Sequence, residues 1–377
     1  MNKNKLNEIC INITDGTHSS IKNNTDSDYF LLSCKNIKSG TIIIGKNDRK
    51  IDYKTLLSLR KRTKLSYNDI LITSVGTIGE AAIINDNDPN YEFQRSVAIL
   101  KPNNSIILSK YLYYYIISPK GKKIIKSNIK GAAQPCLFLN DIKNIEVFYP
   151  NINIQQHIVN TIGSIDDLID NYNKQVNMIC LILKQSLLKY NDKITIDSYN
   201  PTIIKSGIKP FDLTKNYLDT SSVNNLNNIE GKEVVSYKGR PSRANMQPIA
   251  NSIWFAKMKG SNKKLLISNL DKDLINNYVL STGFLGIKES DKLPLSFLTA
   301  VIISNEFNIQ RDLNSVGTTM AGVNNETFSK ILVPKLSPKE VKIFNEENKC
   351  FIEQLSYLRK KINALNSIKT LLLNKYF

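Results

Sequence analysis

The chain has 377 residues, 41% of them hydrophobic and 22% charged, enough for two or three soluble globular domains with real cores. No apolar run approaches the ~18 residues of a membrane span, and the opening MNKNKLNEICINITDG has no apolar core of a signal peptide. Cys10, Cys34, Cys136, Cys180 and Cys350 are odd in number and form no Cys-x-x-Cys, which fits a reducing cytoplasm and argues against structural zinc. The net charge of +18 points to a polyanion, nucleic acid first. Against that stands a bland source, a composition rich in Lys, Asn and Ile in which lysine is ordinary polar filler.

In chain order, residues 1–150 read as a mixed α/β domain. Residues 69–84, DILITSVGTIGEAAII, place two apolar runs around Gly76 and Gly79, which predicts strand, tight turn, strand. Residues 96–100 predict a strand ended by Pro102. Residues 109–118, SKYLYYYIIS, predict a helix with Ser109 as N-cap. A loop at 131–135 and a strand at 142–148 follow. Residues 151–191 form a long helix, and 192–209, rich in turn residues, read as a linker. A second α/β domain occupies 210–336, with strands at 252–258 (SIWFAKM) and 265–268 and a helix at 295–304 (LSFLTAVIIS). A second long helix takes 337–377.

The long helix carries Ile154, Ile158, Ile162, Ile165, Ile169, Tyr172, Val176, Ile179, Leu183 and Leu187. Their steps mostly alternate between three and four, the 3.5-residue repeat of a coiled-coil seam. Such a helix would run roughly 50 Å. The C-terminal segment supplies a second seam: Val341, Phe344, Asn348, Phe351, Leu355, Leu358, Ile362, Leu365 and Leu372. At one constant offset, Phe344 falls on Ile158, Phe351 on Ile165, Leu355 on Ile169, Leu358 on Tyr172, Ile362 on Val176 and Leu365 on Ile179. The helix at 295–304 and Gly317 match 109–118 and Gly131 at that same offset. The chain is thus an internal repeat of two halves, whose parts before Tyr111 and before Phe297 hardly resemble each other.

Catalytic constellations do not assemble. Asp88-Pro89-Asn90-Tyr91 lacks the second proline of the tetrad that positions an adenine amino group, so it reads as a turn. Glu340-Val341-Lys342 has no upstream Asp partner and reads as charged helix surface. There is no Gly-x-x-x-x-Gly-Lys-Ser/Thr loop for ATP. His18, in ITDGTHSS, has Asp15 near it but no Ser or Cys nucleophile in context; its turn can touch phosphate or a base edge instead.

Contact candidates are polar and basic residues on loops: Thr17 and His18; Arg60, Lys61, Arg62 and Lys64; Thr77 in the glycine turn; Gln94 and Arg95; and Lys130. Arginine can pair bidentately with guanine and glutamine with adenine. The second half offers Arg240, Ser242, Arg243, Asn245 and Gln247 within GRPSRANMQP, a stretch too polar and proline-broken for a core, with Thr318 and Thr319 after Gly317. Singly each is an ordinary surface residue; as a set on a basic, duplicated scaffold they favour nucleic acid.

The order and spacing of ITDGTHSS, DILITSVGTIGEAAII, GAAQPCLFLNDIKNIEVFYPNINIQQHIVNTIGSIDDLIDNYNKQ and LKQSLLKY resemble the specificity subunits of type I restriction-modification enzymes. In the second half NSIWFAKM, STGFLGIKES, VGTTMAGVNNETFSKILVPKLSPKE and LLLNKYF carry the likeness. The resemblance implies an α/β (α+β) fold: two target-recognition domains separated by two long antiparallel coiled-coil helices. It also implies a non-catalytic chain that reads a bipartite site in double-stranded DNA and docks two modification subunits bringing S-adenosylmethionine. A restriction subunit using ATP and Mg can join that complex. No cofactor, metal or membrane is expected for this chain itself. The Pro-x-Pro-x-x-x-Gln helix entry of the family lacks its second proline after Pro150, and the second copy has Pro334 and Pro338 without the Gln. Two readings from other classes stand beside this one: an enzyme fused to its own recognition module, and a coiled-coil protein scaffold.

Overall fold

The computed structural model describes every residue except Lys46, Ala132, Glu230, Thr319 and Met320. It divides into two units, Met1–Leu168 with Asn366–Phe377, and Ile169–Leu365. The central helix Ile152–Ser186 and the C-terminal helix Pro338–Tyr376 each contribute to both.

In unit 1, Asn2–Lys5 pairs antiparallel with Glu146–Tyr149, the strand that leads into the central helix. A four-strand antiparallel sheet follows, ordered Cys10–Asp15, Val97–Pro102, Ile70–Thr73, Ala81–Ile83. Ile70, Leu71 and Ile72 are all fully buried, which explains why that strand reads as an unbroken apolar run rather than an alternating one. The expected turn lies between Ile70–Thr73 and Ala81–Ile83, with Gly76 at φ 69° and Gly79 at φ 87°, conformations that glycine adopts without a Cβ penalty. A smaller sheet orders Lys50–Ile51, Tyr29–Leu32, Tyr91–Phe93, the last two parallel.

The helix Ser109–Ile117 forms as expected, but Ser109 is not its cap. Its N–H and hydroxyl both go to Asn104 Oδ1 (3.0 and 3.3 Å), and Leu108 occupies the cap position. Ser118 is the capping residue, and of the next helix: its side chain accepts from Gly121 N at 3.0 Å and donates to Tyr115 O at 2.6 Å. One serine thereby closes one helix and opens another, Pro119–Ser127. The strand expected at 142–148 begins instead as a helical turn, Leu139–Lys143, which drives Ile142 into the core before Glu146–Tyr149 extends.

Unit 2 repeats this plan. Its main sheet orders Thr202–Ile203, Phe284–Lys288, Ser252–Ala256, Lys264–Ile267, and its second sheet contains a parallel pair, Lys215–Leu218 with Tyr278–Ser281. Helices Leu295–Ile303 and Asn305–Leu313 meet at Ser304, whose side chain accepts from Phe307 N at 3.0 Å. Residues 192–209 are no linker. Lys193–Thr195 pairs with Leu332–Pro334 as Asn2–Lys5 pairs with Glu146–Tyr149. Ile196 N donates to Ile331 O at 2.8 Å where Leu6 N donates to Ile145 O at 2.9 Å. Buried Tyr199 donates its hydroxyl to Pro334 O and accepts Leu336 N. The early parts of the halves, dissimilar in sequence, therefore share one fold.

The expected seam residues turn inward or are half-covered, apart from Ile154, which is exposed at the start of its helix. Ile158, Ile162 and Ile179 are buried, as are Phe344, Leu355 and Leu358. Ile165, Ile169, Tyr172, Val176, Phe351, Ile362 and Leu365 are half-buried. In unit 1, Ile158, Val159 and Ile162 share a core with Leu373. In unit 2, Ile179, Leu183 and Leu187 share one with Val341, Phe344, Leu355 and Leu358. There Ser186 Oγ donates to Asn348 Oδ1 at 3.2 Å, while Asn173 and Val176 face Ile362 and Asn363, so the two helices run antiparallel. No helix among the described residues is long and apolar enough to cross a membrane.

Candidate nucleic-acid interface

The ITDGTHSS turn of unit 1 is laced to the end of the Tyr91–Phe93 strand. Gly16 N donates to Val97 O (3.1 Å), Thr17 N to Phe93 O (2.8 Å), and Arg95 N to Thr17 O (2.9 Å). A Cβ on Gly16 would lie 2.1 Å from Phe93 O, so only glycine permits this approach. The lacing sets His18 beside Gln94 and Arg95 in a cleft of about 500 Å³, which Ser74, Gln134 and Cys136 also line. His18 Nε2 lies 2.8 Å from Asp15 Oδ2 with its side chain 61% exposed. Arg62 holds the same turn, donating to Asp15 O (2.7 Å), Gly16 O (2.5 Å) and Asp15 Oδ1 (3.3 Å). Asp15 therefore orients a histidine and an arginine together. Thr17 is buried, and its hydroxyl oxygen accepts Ser19 N at 3.1 Å. Burial raises the Cys136 thiol, which disfavours the nucleophilic thiolate.

The structure does not bring Arg60 to this cleft. Its guanidinium pairs with fully buried Glu92 and donates to Pro89 O (2.8 Å) and Tyr91 O (2.9 Å). Burial pushes Glu92 above the usual carboxylate range, and the Arg60 pair only partly offsets it. Arg60 is thus a strut, and the DPNY stretch supplies both of its backbone acceptors. Lys61 is exposed; Lys64 ends its helix at φ 48° with its carbonyl accepting Lys101 Nζ at 2.5 Å. Thr77 is exposed at the turn, its carbonyl taken by the Thr73 hydroxyl. Lys130 pairs with Asp141 at 2.6 Å, and its backbone exchanges two hydrogen bonds with Cys136, which presents the loop carrying Gln134.

In unit 2 the GRPSRANMQP stretch is partly core, contrary to expectation: Ala244–Met246 is a strand with Ala244 and Met246 buried. Arg240 stacks 4.1 Å over Tyr237 and donates to Ala244 O at 3.1 Å, locking its own loop. Gln247 spends its amide on Ile275 O (3.0 Å) and Pro248 O (3.3 Å). Ser242 and Arg243 are exposed, and Arg243 O accepts Asn245 N (2.9 Å) and Thr282 N (2.8 Å). Half-buried Asn245 accepts Gly207 N through its carbonyl. Thr318 is exposed, and Thr319 lies outside the described residues.

Two residues escaped the sequence reading. Gln134 sits in a loop legible as a loop, yet nothing local marks its side chain as lining a cleft. Lys257 donates to Thr282 O at 2.9 Å, and burial lowers its pKa; its place at the end of SIWFAKM was visible, its inward turn was not. Among the described residues no group of three or more His, Cys, Asp or Glu is placed to hold a metal ion.

The family model "Type I restriction modification DNA specificity domain" matches residues 3–180. The specificity subunit of the Escherichia coli type I restriction enzyme EcoBI is 33% identical over 138 residues, 35% of this chain and 29% of that protein. The specificity subunit of the MjaIX type I restriction enzyme of Methanocaldococcus jannaschii is 32% identical over 137 residues, 36% of this chain and 30% of that protein. The matched stretch thus spans under a third of either relative. A crystal structure of the type I restriction-modification S subunit from M. genitalium aligns over 100% of this chain and 96% of its own, with a TM-score of 0.50 at 14% identity, which shows a shared fold.

Proposed function

We propose, from the match of residues 3–180 to the type I restriction modification DNA specificity model, that the chain is the non-catalytic, sequence-reading subunit of a type I restriction-modification complex. Each unit reads one half of a bipartite site in duplex DNA. In unit 1 His18, Gln94 and Arg95 reach base edges, Arg62 and Lys61 serve the backbone, and Gln134 joins them. In unit 2 Ser242, Arg243 and Thr318 are the exposed side chains of the candidate set. Phosphate contacts position such modules and base contacts specify. The paired helices dock two modification subunits that carry S-adenosylmethionine, and an ATP- and Mg-dependent restriction subunit can join. The complex works in the cytoplasm, where the DNA is. The domains of this reading are residues 1–150 and 210–336, the second extended at its front by 192–209, and each is followed in the chain by a helix, at 151–191 and 337–377.

The observation that carries the reading is the duplication: one strand order twice, one serine corner twice (Ser118 and Ser304), and different loops at the equivalent edges. The test is sequencing of DNA methylation in the host with and without this gene. Adenine methylation at one split motif should vanish with the gene; motif methylation that is indifferent to the gene overturns the proposal.

A further inference from the structure

The helix Pro119–Ser127 of unit 1 carries Lys120, Lys122, Lys123 and Lys126 and no acidic residue. All four lysines are exposed, while Gly121 and Ile125 turn inward. Lys122 and Lys126 are spaced i,i+4 and Lys123 and Lys126 i,i+3, so like charges are surface neighbours. Lys120 and Lys122 also crowd the helix N-terminus, where the backbone N–H groups already present partial positive charge. Among the described residues none of the four is ion-paired with an acid, and Lys120 Nζ instead lies 5.1 Å over the Phe148 ring. An anion laid along the helix relieves all of these repulsions at once.

The scaffold does not demand the lysines. In unit 2 the corresponding helix, Asn305–Leu313, is entered through the same kind of serine corner and holds Glu306, Asn308, Ile309 and Asp312 where unit 1 has its four lysines. It has an acid in its first turn and Arg311 in its last, the order the helix dipole favours. A composition-wide excess of lysine would have reached both copies. The basic helix also adjoins the cleft. Ile125 Cγ2 would lie 3.0 Å from a Cβ on Gly79, in the turn that starts at cleft-lining Ser74. Just beyond the helix, Lys130 pairs with cleft-lining Cys136.

We propose that the exposed face of Pro119–Ser127 is a backbone-phosphate site for duplex DNA that flanks the His18–Arg95 cleft, and that unit 2 has no such site at the equivalent place. This rests on the reading that unit 1 contacts DNA. The test uses the full chain and a fluorescent random-sequence duplex, with binding followed between about 50 and 200 mM salt. The variant K122Q/K123Q/K126Q should flatten the slope of log affinity against log salt by about 0.9 for each phosphate it no longer neutralises. K122R/K123R/K126R should keep the wild-type slope, and neither variant should melt below the wild type. The control K339Q/K342Q/K349Q removes the same formal charge from exposed positions of the C-terminal helix and should leave the slope unchanged. An unchanged slope in the first variant overturns the proposal, as does an equal fall in the control, or a flattened slope in the Arg variant. Absence of salt-dependent binding by the wild-type chain overturns it too, while the methylation readout still decides the function independently.

Discussion

Arg359, on the C-terminal helix, lies 2.5 Å from Asp271 with the two side chains only 3% and 2% exposed. Arg359 also donates to Leu266 O, and Asp271 accepts Ser268 N (2.8 Å), Ser268 Oγ (3.0 Å) and Ser356 Oγ (2.8 Å). Burial pushes the Asp271 carboxyl up, but the Arg359 charge and these hydrogen bonds outweigh it and hold the group below the usual value. Replacing Asp271 by Ala strands a buried guanidinium and should destabilise unit 2 by about 3–5 kcal/mol, measured by urea denaturation followed at Trp254. The pH sign follows from the depressed folded pKa: the stabilisation is complete above the unfolded pKa and is lost as pH falls through the folded one. The gap between wild type and Asp271→Ala should therefore narrow in acid. A gap that stays constant from neutral pH into acid contradicts the assignment.

Gly286 faces fully buried Trp254, the chain's one tryptophan. A Cβ at position 286 would lie 2.5 Å from the Trp254 ring, whose Nε1 is tied to Ser252 Oγ at 2.8 Å and cannot simply retreat. Gly286→Ala should overpack the sheet at a cost of about 1–3 kcal/mol and alter Trp254 emission. Unaltered emission with an unchanged melting temperature would mean that the ring has room.

Arg95 and Arg60 both adjoin the Tyr91–Phe93 strand, yet they should fail differently. Arg95→Ala, in the open cleft, should lose about 1–3 kcal/mol of discrimination at one half of the methylated motif and leave the other half intact. Arg60→Ala leaves Glu92 buried without its partner, so it should lower thermal stability and protein yield without relaxing the motif. Relaxed specificity from Arg60→Ala at full stability would reverse these assignments.

What was legible in the sequence depended on period and offset. The Ile158 and Phe344 seams announced themselves because a heptad survives any surface drift, and one constant offset tied them together. The front of the repeat was hidden because its offset differs. Leu6 corresponds to Ile196, a slightly longer step along the chain than the one from Ile145 to Ile331. A small difference in loop length erases a fixed offset while leaving every strand pairing in place. Side-chain destinations were less legible. Arg60 and Arg62 are close neighbours on one helix, yet one braces a buried glutamate and the other clasps the ITDGTHSS turn. Gln155 looks like helix surface in the sequence; in the structure it is fully buried, bonding Leu108 N, Ile106 O and Pro150 O. It occupies the helix entry where the second proline is missing.

Ser118 and Ser304 hold nearly identical backbone angles, φ −64°, ψ 157° and φ −66°, ψ 155°. Beyond them the exposed side chains are lysines in one unit and Glu306 and Ile309 in the other. A corner locked by a single hydroxyl separates folding from what the surface displays. Outward-facing positions should then be exchangeable, Glu306 and Ile309 for lysine, while buried Phe307 and Arg311 stay in place. Units built this way can be re-lettered at their outward-facing positions without being re-engineered, and a combinatorial library would need to vary only those.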